Sequence, residues 1–276
     1  VGVDGKRSTT GLYGPHRGYY MIRYHTGSEF DVRYDPVGHK YWLNRSDQLG
    51  EDEDLVQIPS VTRIIDSCFP KHLTEWAAKA GADAYLECWN QNLEVQDRYD
   101  LIVGAYKKIG EEAANIGSRV HNWLHQYITE AIPEKFESPE GGEKCIDAFL
   151  EWEKTRQVKW EESERLVFQA RPGRRYAGTA DALAEIDGQK FVVDFKTSKK
   201  IYKSYYLQVS AYAAALNDEL GLEYDKGYKG MILRLDKESG KFQEKAFDIQ
   251  ESVPVFWSCI DLKEWNSKRI PSLKYG

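Results

Sequence analysis

Apolar positions along this chain follow two different periods, and the change falls near residue 160. Upstream, "KHLTEWAAKAGADAYLECWN" places Leu73, Trp76, Ala77, Ala80 and Ala84 on one stripe, which predicts an amphipathic helix. Residues 109–129 and the segment "EKCIDAFLEWEKTRQ" predict two more. "IPSVTRIIDSC" opens with Pro and Ser, a helix start. Downstream, "ERLVFQA", "YAGTADALAEI", "KFVVDFKT" and "KGMILRLD" read as strands, with "SYYLQVSAYAAALNDEL" a helix between the last two. "FQEKAFDI" completes a hairpin, and "VPVFWSCIDLKEWNSK" predicts a terminal helix. Ahead of all this, residues 18–45 read as short aromatic strands broken by His-Thr-Gly-Ser and Asp-Pro-Val-Gly turns. Residues 1–17 are Gly-, Ser- and Thr-rich with no period, and "DQLGEDED" is an acidic loop. The pattern predicts an α/β fold with a mixed sheet flanked by helices. It divides into a β-rich extension over 1–60, a helical region over 61–160 and a sheet with a C-terminal helix over 161–276, together one compact domain.

The strand region contains its own register. Asp187-Gly188 suits a two-residue type I′ turn, because both positions need positive φ. If that turn joins the flanking strands directly, Ile186 faces Gln189, Glu185 faces Lys190 as an ion pair, Leu183 faces Val192, and Asp181 faces Asp194. Leu183 with Val192 and Ala184 with Phe191 are apolar pairs on opposite faces, so the hairpin is buried on both sides. Two carboxylates facing each other in a buried sheet repel unless one is protonated or a cation lies between them. Lys196 follows Asp194 on the same strand face. Two carboxylates, an ammonium and the Phe195 carbonyl thus converge, and hard oxygen donors of this kind suit Mg²⁺ or Mn²⁺. A salt-bridge network of Asp181, Asp194 and Lys196 is the competing expectation.

Composition narrows the classes. The 276 residues are 41% apolar and 30% charged, as in a globular protein. No run approaches about 18 apolar residues, so no membrane span is expected. The net charge of −6 excludes a chain coated in positive charge. It leaves room for a local basic strip, and Lys190, Lys196, Lys199, Lys200 and Lys203, with Arg171, Arg174 and Arg175 upstream, supply one. Cys68, Cys88, Cys145 and Cys259 are scattered with no CxxC, as expected of reduced thiols in an intracellular protein.

At "GTAD" ending in Asp181, "VVDFKTSK" with Asp194 and Lys196, "QVSAY" with Gln208 and Tyr212, and "GSRVHNWLH" with His121, the chain resembles the PD-(D/E)xK nuclease superfamily, specifically its RecB-like exonuclease branch. That branch includes phage recombination, CRISPR-associated and mitochondrial genome-maintenance exonucleases. Four motifs occur in the family's order across roughly residues 110–235. The opening "HKYWL…IPSVTRIID…LTEWAAKAGADA" is more loosely similar to phage-type members. The resemblance implies a restriction-endonuclease-like core with an N-terminal β-hairpin and helical addition. It implies an enzyme, a Mg²⁺- or Mn²⁺-dependent deoxyribonuclease acting on DNA that is single-stranded or has a free end, in recombination, repair or replication, in a bacterial or phage-infected cytoplasm. Asp181, Asp194 and Lys196 would be catalytic. His121, Asp181, Asp194, the Phe195 carbonyl and Glu164 would hold the ion. Gln208, Tyr212, Lys199, Lys200, Lys203, Arg174 and Arg175 would bind DNA. His125 lacks the glutamate of an HExxH zinc site and is expected to be structural. Some members carry an iron–sulfur cluster, but only Cys259 lies near this C-terminus, so no cluster is expected. A restriction- or repair-type endonuclease and a catalytically silent nucleic-acid-binding domain are the alternatives.

Overall fold

The computed structural model describes residues 18–36, 38–44, 55–70, 73–130 and 137–268. The Gly-rich start and the acidic loop anticipated above lie outside these residues. Aromatic alternation in the first segment produces three strands, β1 (Gly18–Arg23), β2 (Glu29–Asp35) and β3 (Lys40–Asn44), and a fourth, β4 (Leu55–Ile58), joins them. They form an antiparallel sheet in order β1-β2-β3-β4, larger than the expected hairpin. Ser60 then caps α1 (Val61–Cys68), accepting from the Arg63 N–H at 3.3 Å.

Two helices follow, α2 (Thr74–Cys88) and α3 (Val95–Glu130). The second is much longer than the predicted 109–129. Only its last third is buried, at Val120, Trp123 and Leu124. On α2, Ala80, Ala84 and Cys88 are buried, while Leu73 and Trp76, expected on the same stripe, are exposed. Helix α4 (Glu143–Glu153) buries Cys145, Ile146, Phe149 and Trp152.

The larger sheet comprises β5 (Val158–Gln169), β6 (Tyr176–Ile186), β7 (Gln189–Lys196), β8 (Lys229–Leu235) and β9 (Phe242–Phe247), in that order. It is mixed, with β7 and β8 parallel and the other pairs antiparallel. Helix α5 (Lys203–Leu220) connects the parallel pair, and α6 (Ser252–Ser267) ends the described chain. The architecture is therefore α/β, a mixed sheet flanked by helices with an antiparallel N-terminal sheet.

Both faces of this sheet are covered. Leu183, Val192 and Ile232 pack under α1, α5 and α6. Ala184, Phe191, Val193 and Phe195 pack under α3 and α4. The Asp187-Gly188 turn has φ of 51° and 82°, as its type requires. The register runs from Ile186↔Gln189 through Leu183↔Val192 to Ala182↔Val193. Glu185 faces Lys190, but the Lys190 ammonium makes its ion pair with Glu161 of β5, at 3.6 Å. The two sheets meet where Ser60 bridges Ala177 and where the Tyr41 hydroxyl lies 3.0 Å from Thr179 Oγ1. Leu166, Phe168 and Ala177 share a cluster with Val32, Tyr34 and Tyr41. Among the described residues, no helix is long and apolar enough to cross a membrane.

Candidate active site

The site begins with a fault in the sheet. In β5 against β6 the pairs Ser163↔Ala182 and Arg165↔Ala180 flank an unpaired position, Glu164 opposite Asp181. Glu164 has a φ of 52°, the left-handed region that non-glycine residues seldom occupy. On the other side of β6, pairing with β7 stops at Ala182↔Val193, one step short of Asp181 and Asp194. Asp181 thus belongs to neither ladder. The expected facing pair of carboxylates is corrected accordingly: the register predicts their positions, but the strands part before reaching them. Strand parity changes here as well. Ala180 packs beneath α5, and Ala182 packs beneath α3 and α4. Strict alternation would put both on one face.

Freed from the ladder, the Asp181 carboxylate turns to β7, where its Oδ2 accepts the Phe195 N–H at 2.8 Å. A strand residue points its N–H and C=O to the same side, so the Phe195 carbonyl also faces this gap. Asp194, fully buried, meets Lys196, whose Nζ lies 2.8 Å from Oδ1 and 2.7 Å from Oδ2. Only Oδ1 receives a hydrogen bond of good geometry, and Oδ2 is left buried without one. The ammonium also sits 4.9 Å from the centre of the Tyr205 ring. From α3, His121 brings its Nδ1 to 3.5 Å from Asp181 Oδ2. The helix approaches closely because Gly117 lies one turn earlier: a Cβ there would stand 3.2 Å from Thr197 Oγ1.

These groups compete for too little positive charge. Burial pushes the Asp194 carboxyl up to about 6, with Asp181 adding to the rise and Lys196 opposing it. Burial and the charge of Asp181 push Glu164 up to about 7. Burial also works against ionised Asp181, but His121, Lys196 and the Phe195 N–H outweigh it and hold the carboxyl below its usual value. Burial disfavours the His121 imidazolium, yet Asp181 keeps its pKa raised. Lys196 is raised too, since Asp194 and Asp181 together overcome its desolvation.

The donors fit a hard divalent cation. They are carboxylates, one carbonyl and one imidazole, and Asp194 Oδ2, 2.7 Å from the Lys196 ammonium, accepts no hydrogen bond of good geometry. Among the described residues, no three His, Cys, Asp or Glu side chains already surround a common ion position. Mg²⁺ needs no such cage, because it binds through one or two carboxylates and keeps several waters.

A cavity of about 540 Å³ opens over Asp181, Glu164 and His121. Its walls come from both sheets and from α1, α3 and α5 and include Tyr34, Tyr41, Thr179, Gln208 and Tyr212. Tyr212 is buried, accepts from Gln208 Nε2 at 3.1 Å and presents its Cε1 edge to Gly178. His125, also in the cavity wall, places Nδ1 2.9 Å from Ser163 Oγ, and Ser163 donates to the Asp181 carbonyl at 3.0 Å. The period of α3 shows His125 on the same face as His121, but Ser163 carried no signal in the sequence.

The five basic residues expected to bind DNA do not line this cavity. Lys199, Lys200 and Lys203 follow β7, and Arg174 and Arg175 lie in the β5–β6 turn. The strands are antiparallel, so both groups stand at the same end of the sheet as Asp194 and Lys196. Arg174 is held by both carboxylate oxygens of Asp261, and Lys199 pairs with Glu238 at 2.9 Å. Lys200 lies 5.1 Å from the centre of the Tyr202 ring. Lys203 and Arg175 are exposed.

No known family profile matches this chain, and no curated protein does. Among solved structures, the crystal structure of SSO0001 is similar over 70% of this chain and 88% of that chain, at 16% identity and a TM-score of 0.32. A likeness that low carries no argument, so function must be argued from the residues.

Proposed function

We propose that this protein is a divalent-metal-dependent deoxyribonuclease with a restriction-endonuclease-like core, acting on DNA that is single-stranded or has a free end. One observation carries the reading: Asp181, Asp194 and Lys196 converge where β6 and β7 part, with a buried carboxylate oxygen of Asp194 left without a hydrogen bond. Asp181, Asp194 and the Phe195 carbonyl would hold Mg²⁺ or Mn²⁺, with His121 and Glu164 beside them. Once bound, the ion would polarise the scissile phosphate and acidify an attacking water.

The chain's own groups would do the rest. Two carboxylates keep Lys196 protonated. It therefore suits stabilising the charge that develops on phosphate more than abstracting a proton. Its seat against Asp194 and the Tyr205 ring restricts it to one place, which limits reorganisation during the reaction. Gln208 and Tyr212, bonded to each other in the cavity wall, would orient the strand from the α5 side.

The test is digestion of 5′- and 3′-labelled single- and double-stranded oligonucleotides, and of a circular substrate, with Mg²⁺, Mn²⁺ or EDTA. Metal-dependent cleavage of linear DNA that Asp194→Asn removes, while the mutant still folds, is the expected result. Cleavage unaffected by Asp194→Asn, or no cleavage with either ion, overturns the proposal.

A further inference from the structure

We propose that His125 and Ser163 form a relay that positions Asp181 by holding its backbone carbonyl. The inference uses the nuclease reading for what Asp181 does, and rests on hydrogen bonds alone for how Asp181 is held.

Asp181 needs such support because β6 is loose at this point. Its neighbours Ala180 and Ala182 pair with β5, and Ala182 pairs with β7, but Asp181 pairs with neither strand. The residue that should face it, Glu164, has its backbone turned into the left-handed region. The side chain of Ser163 takes over and donates to the Asp181 carbonyl at 3.0 Å. A serine hydroxyl has one proton. That proton is used on the carbonyl, so the Ser163 oxygen must accept from His125 Nδ1, 2.9 Å away. The bond requires a proton on His125 Nδ1. It also orients the hydroxyl, which could otherwise rotate away from the carbonyl. The chain of bonds runs from the buried end of α3 through β5 to the unpaired residue of β6. His121, one turn before His125 on the same helix face, approaches the Asp181 carboxylate. One helix therefore controls both ends of this residue, the carboxylate directly and the carbonyl through Ser163. Supporting bonds of this kind set the orientation of metal-holding groups.

Two measurements test the relay. The first, ¹⁵N NMR of the histidine side chains in metal-free protein, reads the tautomer without reference to any activity. His125 should be protonated on Nδ1, and Ser163→Ala should abolish that preference. A wild-type His125 protonated on Nε2 overturns the relay. The second is Mn²⁺ affinity, followed by electron paramagnetic resonance with thermal melting in parallel. His125→Ala should weaken Mn²⁺ binding about tenfold or more. His125→Asn, which keeps an N–H near the Nδ1 position, should restore most of it, and His125→Ala with Ser163→Ala should be no worse than either alone. Equal Mn²⁺ affinity in His125→Ala and wild type overturns the relay. If His125→Ala fails to fold, His125→Asn and the wild-type tautomer still decide. Should wild type and Asp194→Asn both fail to bind Mn²⁺, the metal-site reading falls, and the relay is judged on the tautomer alone.

Discussion

Gly178→Ala should strain the site's α5 wall from within. Gly178 carries the first letter of "GTAD", and a Cβ added there would stand 2.3 Å from Tyr212 Cε1, 3.1 Å from Cδ1 and 3.3 Å from Cζ. Carbon atoms rest about 3.5–4.0 Å apart, so the ring must retreat by more than about 1 Å. It has little room: Tyr212 is 4% exposed and lies on a helix buried among α1, α6 and the sheet. Overpacking of this kind costs typically 1–3 kcal/mol, and the depth of this clash argues for about 3. For a chain of this size that lowers Tm by roughly 5 °C. The assay is thermal unfolding in EDTA, so that no bound ion enters. Tyr212→Ala alone should also destabilise, by roughly 3–5 kcal/mol if it behaves as other large aromatic truncations do. Combined with Gly178→Ala it should lose much less than the sum, because the methyl then fills part of the space the ring has left. A Gly178→Ala protein that melts within a degree of wild type, or a strictly additive double mutant, would refute the close-packing argument.

Further outcomes follow from the same geometry. Lys196→Ala should leave DNA binding largely intact and lower single-turnover cleavage by at least 10²-fold, since its contribution falls in the transition state; near wild-type turnover would return Lys196 to a structural ion pair. The Glu164 carboxyl is raised from 4.5 to about 7, so its folded state binds a proton more tightly than its unfolded state. Its contribution to metal-free stability is complete below about pH 4.5 and is lost as pH rises through about 7. Glu164→Gln should therefore melt with less pH dependence between pH 5 and 8 than wild type, and identical pH profiles would contradict the burial argument. Arg174→Ala should leave the salt dependence of DNA binding unchanged, because Asp261 already occupies the guanidinium. Replacing Lys200 and Lys203 together by Ala should flatten that dependence by about 1.4 in the logarithmic slope if both touch phosphate of a single strand. All binding is measured on Asp194→Asn in EDTA.

Much of the sheet was legible because turn chemistry fixes register. Asp187-Gly188 set the β6–β7 pairing, so the sequence alone brought Asp181 and Asp194 to facing positions on adjacent strands. The fault at their meeting point was not legible. Alternation of apolar residues assumes unbroken strands and contains no sign that Glu164 would turn left-handed. The start of β5 was missed because "VKWEESE" is polar on one side of an edge strand, and β4 because four residues give too little pattern. The first half of α3 was missed for another reason: its residues are mostly exposed, so they carry no strong apolar stripe. Charge pairing was the least legible feature. Lys190 lies across from Glu185 in sequence logic but bonds Glu161 from the next strand over, and Arg174 bonds Asp261, 87 residues away. Such partners are chosen by tertiary packing, which local spacing does not report.

The break in the sheet and the chemistry of the site are linked. An intact ladder would press Asp181 between Glu164 and Asp194 with all three backbones fully bonded. The carboxylates would then sit at cross-strand spacing of about 4.5–5.5 Å between Cβ atoms with no backbone N–H left free to bond them. Breaking both ladders at one residue frees the Phe195 N–H to bond the Asp181 carboxylate and leaves the Phe195 carbonyl facing the same gap. It also admits His121 from α3. The left-handed Glu164 costs about 1–2 kcal/mol, and the lost strand bonds add to it. The sheet can bear that because apolar side chains are buried on both faces around the break, from Leu183 and Val192 on one side to Val193 and Phe195 on the other. Strain held in place by packing is expected where a site must present charged groups that a regular sheet would hide. The same strain makes Asp181 dependent on bonds from outside its own strand, which is why a histidine two elements away can govern where it stands.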